Sequence, residues 1–279
     1  MSLRYNDKKI TLKTHEFSRI QKMLYSYFGL HLTAQKKTMV ESRLRKILYK
    51  YQLNSFTDYC SLLRTDKSGK MLVELINTLT TNHTYFWREP DHFRFFQNHV
   101  LPYWDKELGR KNDKNLRIWS AGCSSGEEPY MLEILMLEYF KKRYSLWNAG
   151  VLATDLSQKV LAFAMKGLYP KERLKKLSPK LTHKYFYKMD DKYKVKSFVK
   201  KEILYRKFNL MNKFPFKNKF HAIFCKNVMI YFDKKTRLKL VQKFYDKLED
   251  KGYLFIGLSE SLGNDTNFKY IQPSIYRKI

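Results

Sequence analysis

Two glycines and three acids carry the first chemical signal in this chain. Gly122 and Gly126 bracket a short turn in Arg117-Ile-Trp-Ser-Ala-Gly-Cys-Ser-Ser-Gly-Glu-Glu-Pro-Tyr130, where backbone can approach a ligand without a Cβ in the way. Ser125 and Glu128 stand three apart as a capping box, and Pro129 falls in the first turn of the helix that follows. Further on, Val151-Leu152-Ala153-Thr154-Asp155 is an apolar run that ends in a carboxylate, as a second parallel strand does where an acid meets ribose hydroxyls. The turn lacks the triple glycine of the dinucleotide fingerprint and shows no cluster of phosphate-binding amides, so the ligand expected is a nucleoside without phosphates. S-adenosylmethionine has ribose and adenine and, in place of phosphate, a zwitterionic amino-acid tail. Glu127 is placed for its ammonium. The glycines alone fit an ordinary strand-loop-helix crossover equally well; Asp155 is what favours the ligand.

These residues need a frame. Ile118 and Trp119 close a strand before the turn, and Leu132, Leu135, Met136 and Tyr139 after it repeat like the buried face of a helix. From Thr14 to about Leu79 the pattern is helical throughout, with Phe17, Ile20 and Leu24, then Leu44, Ile47 and Leu48, then Leu72, Leu75 and Ile76 at three-four spacing, which predicts a small bundle. Its second helix carries Arg43, Arg45, Lys46 and Lys50, either a basic docking face or an ordinary solvated one. The segment Thr80–Pro90 is polar and aromatic without a clean period. Asn82, Thr84 and Arg88 fall on one side of a turn there, and the Arg88 guanidinium suits a carboxylate, with a surface ion pair to Glu89 or Asp91 as the plainer reading. A helix is expected through Val160 to Gly167. Tyr185–Tyr205 then reads as an inserted, lysine-studded β-hairpin. Phe208-Asn-Leu210 resumes the core, Phe220–Cys225 is a strand covered on both faces that ends in Lys226-Asn227, and Ile275–Arg277 is expected as a terminal edge strand. The fold class is α/β, a Rossmann-like core with an N-terminal helical domain.

Composition narrows the function. In 279 residues, 44% are hydrophobic and 16% aromatic, too rich for a disordered chain, and no apolar run approaches the roughly 20 residues of a membrane span. The start of the chain has no apolar core of a secretory signal, so the cytoplasm is expected. Cys60, Cys123 and Cys225 are too few and too scattered for a disulfide framework or a zinc site, and no metal is expected. The formal net charge of +29 implies an acidic partner, or else surfaces that are simply lysine-solvated. Residues 166–219 hold 18 Lys and Arg against 4 Asp and Glu.

The runs Thr80–Pro90, Trp119–Tyr130, Ala153-Thr-Asp155, Asn209-Leu210, Phe224-Cys-Lys-Asn-Val-Met-Ile-Tyr-Phe-Asp233 and Gly252–Glu260 resemble, in order, the motifs of the chemotaxis receptor methyltransferase (CheR) family. The resemblance implies a class I methyltransferase core that uses S-adenosyl-L-methionine, releases S-adenosyl-L-homocysteine, and methylates glutamate carboxylates of methyl-accepting receptors. It implies domains at 1–80 (helical), 81–110 (linker helix and cofactor-lining segment) and 111–279 (methyltransferase), with a β-subdomain inserted at about 180–206. It makes Asn82, Thr84, Arg88, Glu127, Asp155, Asn209, Leu210, Cys225 and Lys226 cofactor neighbours, puts Arg88, Tyr231 and Lys226 at the reaction centre, and makes Arg43, Arg45, Lys46 and Lys50 the receptor-docking face. Many relatives carry Arg where this chain has Lys226, and Lys cannot clamp a carboxylate in two-point fashion. The implied partners are the helical cytoplasmic region of the receptors and, at the β-subdomain, a receptor tail peptide; recruitment to membrane receptor arrays follows, with neither nucleic acid nor membrane insertion. An RNA methyltransferase and a non-catalytic receptor-binding module are the alternatives. The missing base-site motif argues against the first, and the intact Glu127, Asp155 and Tyr231 against the second.

Overall fold

Three-four spacing of apolar residues ahead of Thr80 produces, among the described residues, four α-helices, α1 (Thr14–Phe28), α2 (Lys37–Lys50), α3 (Phe56–Thr65) and α4 (Lys70–Leu79). The computed structural model describes residues 10–80 and 83–279, and the chain divides after Thr81 into two units. In the first, Ile20, Leu24, Val40, Leu44, Leu48 and Leu75 are fully buried. Gly29 closes α1 in the left-handed conformation (φ 68°), open to it because no Cβ opposes it. The basic face of α2 is less free than its sequence suggests. Arg43 Nη1 donates to the Leu79 carbonyl (2.6 Å), Arg45 pairs with Glu41 (2.6 Å) and Lys50 pairs with Glu74 (2.7 Å), while Lys46 is exposed.

The second unit is an α/β domain. α5 (Pro90–Phe95) runs through a π-helical turn, Phe96–Val100, into α6 (Leu101–Arg110). Then come β1 (Asn115–Ala121), α7 (Glu127–Phe140), β2 (Asn148–Asp155) and α8 (Gln158–Lys166). The insertion follows with β3 (Leu168–Pro170), α9 (Pro179–Tyr185), β4 (Phe186–Met189), β5 (Lys192–Val195) and α10 (Ser197–Lys200). β6 (Ile203–Lys207), β7 (Phe220–Cys225), α11 (Lys234–Lys247), β8 (Leu248–Ile256), β9 (Phe268–Gln272) and β10 (Ile275–Lys278) complete the chain.

The main sheet has the order β6-β2-β1-β7-β8-β10-β9. Its first five strands are parallel, and β10 lies antiparallel between β8 and β9. The chain winds outward from β1 to β2 and β6, then restarts on the other side of β1 with β7, so the strand order reverses at β1. Crevices at such a reversal, outside the carboxyl ends of the strands, are where open α/β sheets bind ligands.

Alternation along each strand sorts the two faces. Leu116, Ile118, Ala149, Val151, Ala153 and Phe224 pack towards α5–α7 in one core, while Trp119, Ala121, Ile223, Cys225, Leu254 and Ile256 form the other with α11. Phe224 and Phe255, paired across β7 and β8, stack at 4.1 Å between centroids. Trp119 anchors the second core among Phe214, Phe216, Phe220 and Phe244, and its indole N–H donates to Thr154 Oγ1 (2.9 Å). The connection from β6 to β7 contains no helix. It is held by ring packing and by two lysines of α11, with Lys243 Nζ donating to the carbonyls of Leu210, Met211 and Asn212 and Lys247 Nζ to that of Phe216.

Three expectations are corrected here. The antiparallel insertion is a three-stranded sheet, β3-β5-β4, that begins at Leu168 rather than near 180, because Leu168–Pro170 pairs with Lys192–Lys194. It also ends sooner. Ile203–Lys207 belongs to the main sheet, register-paired with Val151–Asp155, so the core resumes before Phe208. Finally, Ile275–Arg277 is an inner strand; β9 is the edge, hidden in the sequence by its exposed Lys269 and Tyr270. Among the described residues no helix is long and apolar enough to cross a membrane.

Candidate active site

The turn after β1 is organised by what its amides already do. Gly122 N and Cys123 N both donate to the Thr154 carbonyl (2.8 and 2.9 Å), and Ser124 N donates to Asp155 Oδ2 (2.9 Å). These three amides are therefore committed to β2 and are not a nest for an anion. Gly122 and Gly126 take φ of 83° and 93°, and a Cβ on either would sit 2.6 Å from Val228 or Ala164. The glycines thus serve close packing of the turn. Two carboxylate acceptors with no phosphate cradle fit S-adenosylmethionine, whose ribose hydroxyls and ammonium are donors and which carries no phosphate. Asp155 Oδ1 also accepts from Ser157 N (2.9 Å), leaving lone pairs on both oxygens for further donors. Burial raises its carboxyl above the ordinary range against the pull of these amides.

The expected capping box is absent. Gly126 is the N-cap of α7; Ser125 Oγ donates to Glu127 Oε2 (2.7 Å), and Glu128 Oε1 accepts from Ser120 Oγ (2.7 Å). The two glutamates have long-range partners that outcompete a local cap. Glu127 is fully buried and pairs with Arg173 (3.2 Å); burial raises its carboxyl, and Ser125 and Arg173 oppose the rise. Glu128 pairs with Lys226 (3.1 Å), which also pairs with Glu89 (3.3 Å), donates to the Arg88 carbonyl (3.1 Å) and lies 4.8 Å over the Phe93 ring. α7 itself is buried nearly all round, not on one face.

Each of those cations also grips the segment before α5. Arg173 Nη1 donates to the Thr84 carbonyl as well as to Glu127, and Phe86 N donates to the Arg173 carbonyl (3.2 Å). Trp87 and Glu89 in that segment hold positive φ (66° and 60°), a conformation that costs non-glycine residues on the order of 1–3 kcal/mol and collects at functional sites. Glu89 Oε1 accepts from Asn227 Nδ2 (3.2 Å) and Leu258 N (3.3 Å). Despite its burial, its carboxyl is pulled down to about 2 by His92, Lys226 and these donors.

Asn227, φ 60°, opens the turn that ends in the short helix Met229–Tyr231. Glu260 fixes that turn from the loop after β8, accepting from Asn227 N (3.0 Å), Ile230 N (3.0 Å) and Gly257 N (2.5 Å).

The sequence-derived residues therefore group as follows. Thr84 and Glu127 share Arg173, and the Arg88 carbonyl meets Lys226. Asp155 lies beside the Asn209-Leu210 segment because Phe208 N donates to the Asp155 carbonyl (2.9 Å). Cys225, Lys226 and Tyr231 lie on one stretch leaving β7; burial pushes the Cys225 thiol up, and Tyr231 is half-buried. Lys226 is enclosed by carboxylates rather than open to a ligand carboxylate. Arg88 is half-buried and donates to the His83 carbonyl (2.5 Å); neither of its expected acids holds it, since Asp91 pairs with Arg94 and Glu89 with Lys226. Asn82 lies outside the described residues. Arg43, Arg45, Lys46 and Lys50 belong to the other unit. Arg173, Glu89, Glu128 and Glu260 escaped sequence reasoning. Glu89, Glu128 and Glu260 lay in runs that resemble the family's motifs, and Arg173 in none, but the partners that bring them into the site are far away in sequence.

A family model described as the CheR methyltransferase S-adenosylmethionine-binding domain matches residues 82–277, and the CheR all-alpha domain model matches residues 15–80. The chain is 43% identical over 271 residues to the chemotaxis protein methyltransferase of Borreliella burgdorferi, covering 96% of each. It is 35% identical to a probable chemotaxis protein methyltransferase of Rhizobium etli (92% of this chain, 100% of the relative). With the Salmonella typhimurium chemotaxis protein methyltransferase it shares 33% identity (92% and 87%).

Proposed function

Because the chain belongs to the CheR family of S-adenosylmethionine-dependent chemotaxis methyltransferases, we propose that it methylates glutamate side-chain carboxylates of methyl-accepting chemotaxis receptors, giving glutamate methyl esters. The observation that carries this reading is the meeting, at the reversal of strand order, of Asp155, Glu127 and the segments bearing Arg88 and Tyr231, with the amides of the turn after β1 already committed.

When bound, S-adenosylmethionine supplies a methyl on a sulfonium, whose charge disappears together with that of the attacking carboxylate as ester and thioether form. The protein then needs no nucleophile or base of its own. Its work is alignment, which contributes up to roughly 7–11 kcal/mol in well-oriented reactions. Asp155 accepts from the ribose hydroxyls and Glu127 meets the ammonium of the amino-acid tail. Arg88 neighbours a carboxylate of cofactor or acceptor, and Tyr231, on a turn fixed by Glu260, borders the methyl. Lys226 acts one step back, holding the Arg88 carbonyl and the Glu89 carboxylate beside Glu128. Lys46 on α2 supports docking of an acidic receptor helix, and β4, at the edge of the insertion's sheet, offers a strand to a receptor tail. The site of action is then the cytoplasmic face of receptor arrays.

The test is incubation with methyl-labelled S-adenosylmethionine and receptor-containing membranes, with total RNA as the competing acceptor. Alkali-labile label on receptor is expected; label on RNA alone, or none, overturns the reading.

A further inference from the structure

We propose that Arg173 is a positioning residue for cofactor binding, holding the Glu127 carboxylate ionised and aimed before the ligand arrives and tying it to the Thr84–Phe86 backbone. This rests on the reading that Glu127 meets the cofactor ammonium. Glu127 has no solvent exposure, and an ionised carboxylate so placed needs a counter-charge. Within the described residues Arg173 is the cation paired with it (3.2 Å). The other ionisable groups facing it, Cys123 and Tyr169, have their pKa values pushed up by burial and are neutral, and Ser125 contributes a hydroxyl.

Arg173 does not come from the core. It sits in the short turn Lys171–Leu174 between β3 and α9, inside the insertion. From there its guanidinium reaches Glu127 and the Thr84 carbonyl, while its own carbonyl takes the Phe86 amide. One residue of the insertion thus joins the first turn of α7 to the segment that leads to Arg88. A neutral side chain at 173 would leave Glu127 buried without a counter-charge. The carboxyl would then keep its proton to higher pH, and a protonated carboxyl cannot pair with an ammonium.

The experiment measures calorimetric affinity for S-adenosylhomocysteine, which carries the same amino-acid tail and does not react, between about pH 5.5 and 7.5. Arg173→Gln, Arg173→Lys and Glu127→Gln are compared with wild type. The ratio of variant to wild-type dissociation constant cancels the ligand's own titration. For R173Q the ratio is expected to be about tenfold or more at the acid end, falling as pH rises and Glu127 ionises. R173K keeps the charge and is expected to hold a ratio within about threefold with no pH trend. A ratio for R173Q that is constant in pH, or near one throughout, overturns the proposal and leaves Arg173 a packing residue. So does an R173K ratio that trends with pH, and this variant decides the matter should R173Q not fold. Wild-type affinity in E127Q instead overturns the assignment of Glu127 itself, whatever Arg173 does.

Discussion

Glu127 and Glu128 are neighbours in sequence yet are neutralised by cations from different elements, the first by Arg173 at 3.2 Å and the second by Lys226 at 3.1 Å. Each cation also takes a carbonyl of the segment before α5, that of Thr84 or that of Arg88. The first turn of α7 is therefore where the cofactor side and the Arg88 side of the site are joined.

The Lys226 side chain is only 5% exposed and faces two carboxylates. Lys226→Met should destabilise the protein by about 3–5 kcal/mol, since removing one partner of a buried ion pair strands the other charges. Adding Glu89→Gln should recover part of the loss. Guanidinium unfolding of the single and double variants checks both; equal midpoints for Lys226→Met and wild type would contradict the geometry.

Asp155→Ala should weaken S-adenosylmethionine binding by at least about tenfold, the value of one hydrogen bond to a charged group. The same change removes the acceptor for Ser124 N and Ser157 N. Amide exchange at these two positions should therefore be faster in the variant, and exchange no faster than in wild type would show that the carboxylate does not order the turn.

Tyr231→Phe is expected to leave the melting temperature nearly unchanged while the methylation rate falls, because a hydroxyl on a half-buried ring contributes little packing. A lower melting temperature with full specific activity would make the residue structural.

Glu133, in the buried middle of α7, sets a pH dependence. Burial pushes its carboxyl up to about 8, against the hydrogen bond with Tyr144. The Tyr144 hydroxyl lies 2.6 Å from Glu133 Oε1 and 3.2 Å from the Ala149 carbonyl; a protonated Glu133 donates to the hydroxyl oxygen and frees the hydroxyl's one hydrogen for the carbonyl. The folded state then holds a proton that the unfolded state releases near pH 4.5, the ordinary value of the group. Stability should fall as pH rises from about 4.5 to about 8. Glu133→Gln should flatten that decline, by a few kcal/mol at the alkaline end. Parallel curves for variant and wild type would mean that Glu133 is ionised throughout.

On α2, Lys46→Glu should slow methylation of intact receptor while leaving cofactor affinity unchanged, and the difference should shrink as salt shortens the Debye length. Arg43 is a poor probe of docking, because its guanidinium holds the Leu79 carbonyl at the end of α4. Rates independent of charge at position 46 would leave that face merely solvated.

What could be read from sequence was local. The Gly122–Gly126 turn, the carboxylate at the end of β2 and the helical bundle all declared themselves through spacing within one or two elements. Ile203–Lys207 did not, since an edge strand open on one face interleaves Leu204, Arg206 and Lys207 and resembles the lysine-studded hairpin before it. The Ser125–Glu128 pair misled for a related reason: its spacing matched a cap, but Ser120 and Lys226 claimed Glu128. Buried charges choose partners by proximity in the fold, and no period in the chain records that choice.

The helix-free connection between β6 and β7 gives the protein a seam. Its resistance to opening is set by a few rings and two α11 ammonium groups on carbonyls, not by a helical or strand ladder of its own. Asp155 stands on an inner strand of the sheet, whereas Asn209 and Leu210 ride on the seam. The two flanks of one nucleoside site thus belong to different tiers of local stability, and bound cofactor should slow hydrogen exchange far more along 209–219 than along β2.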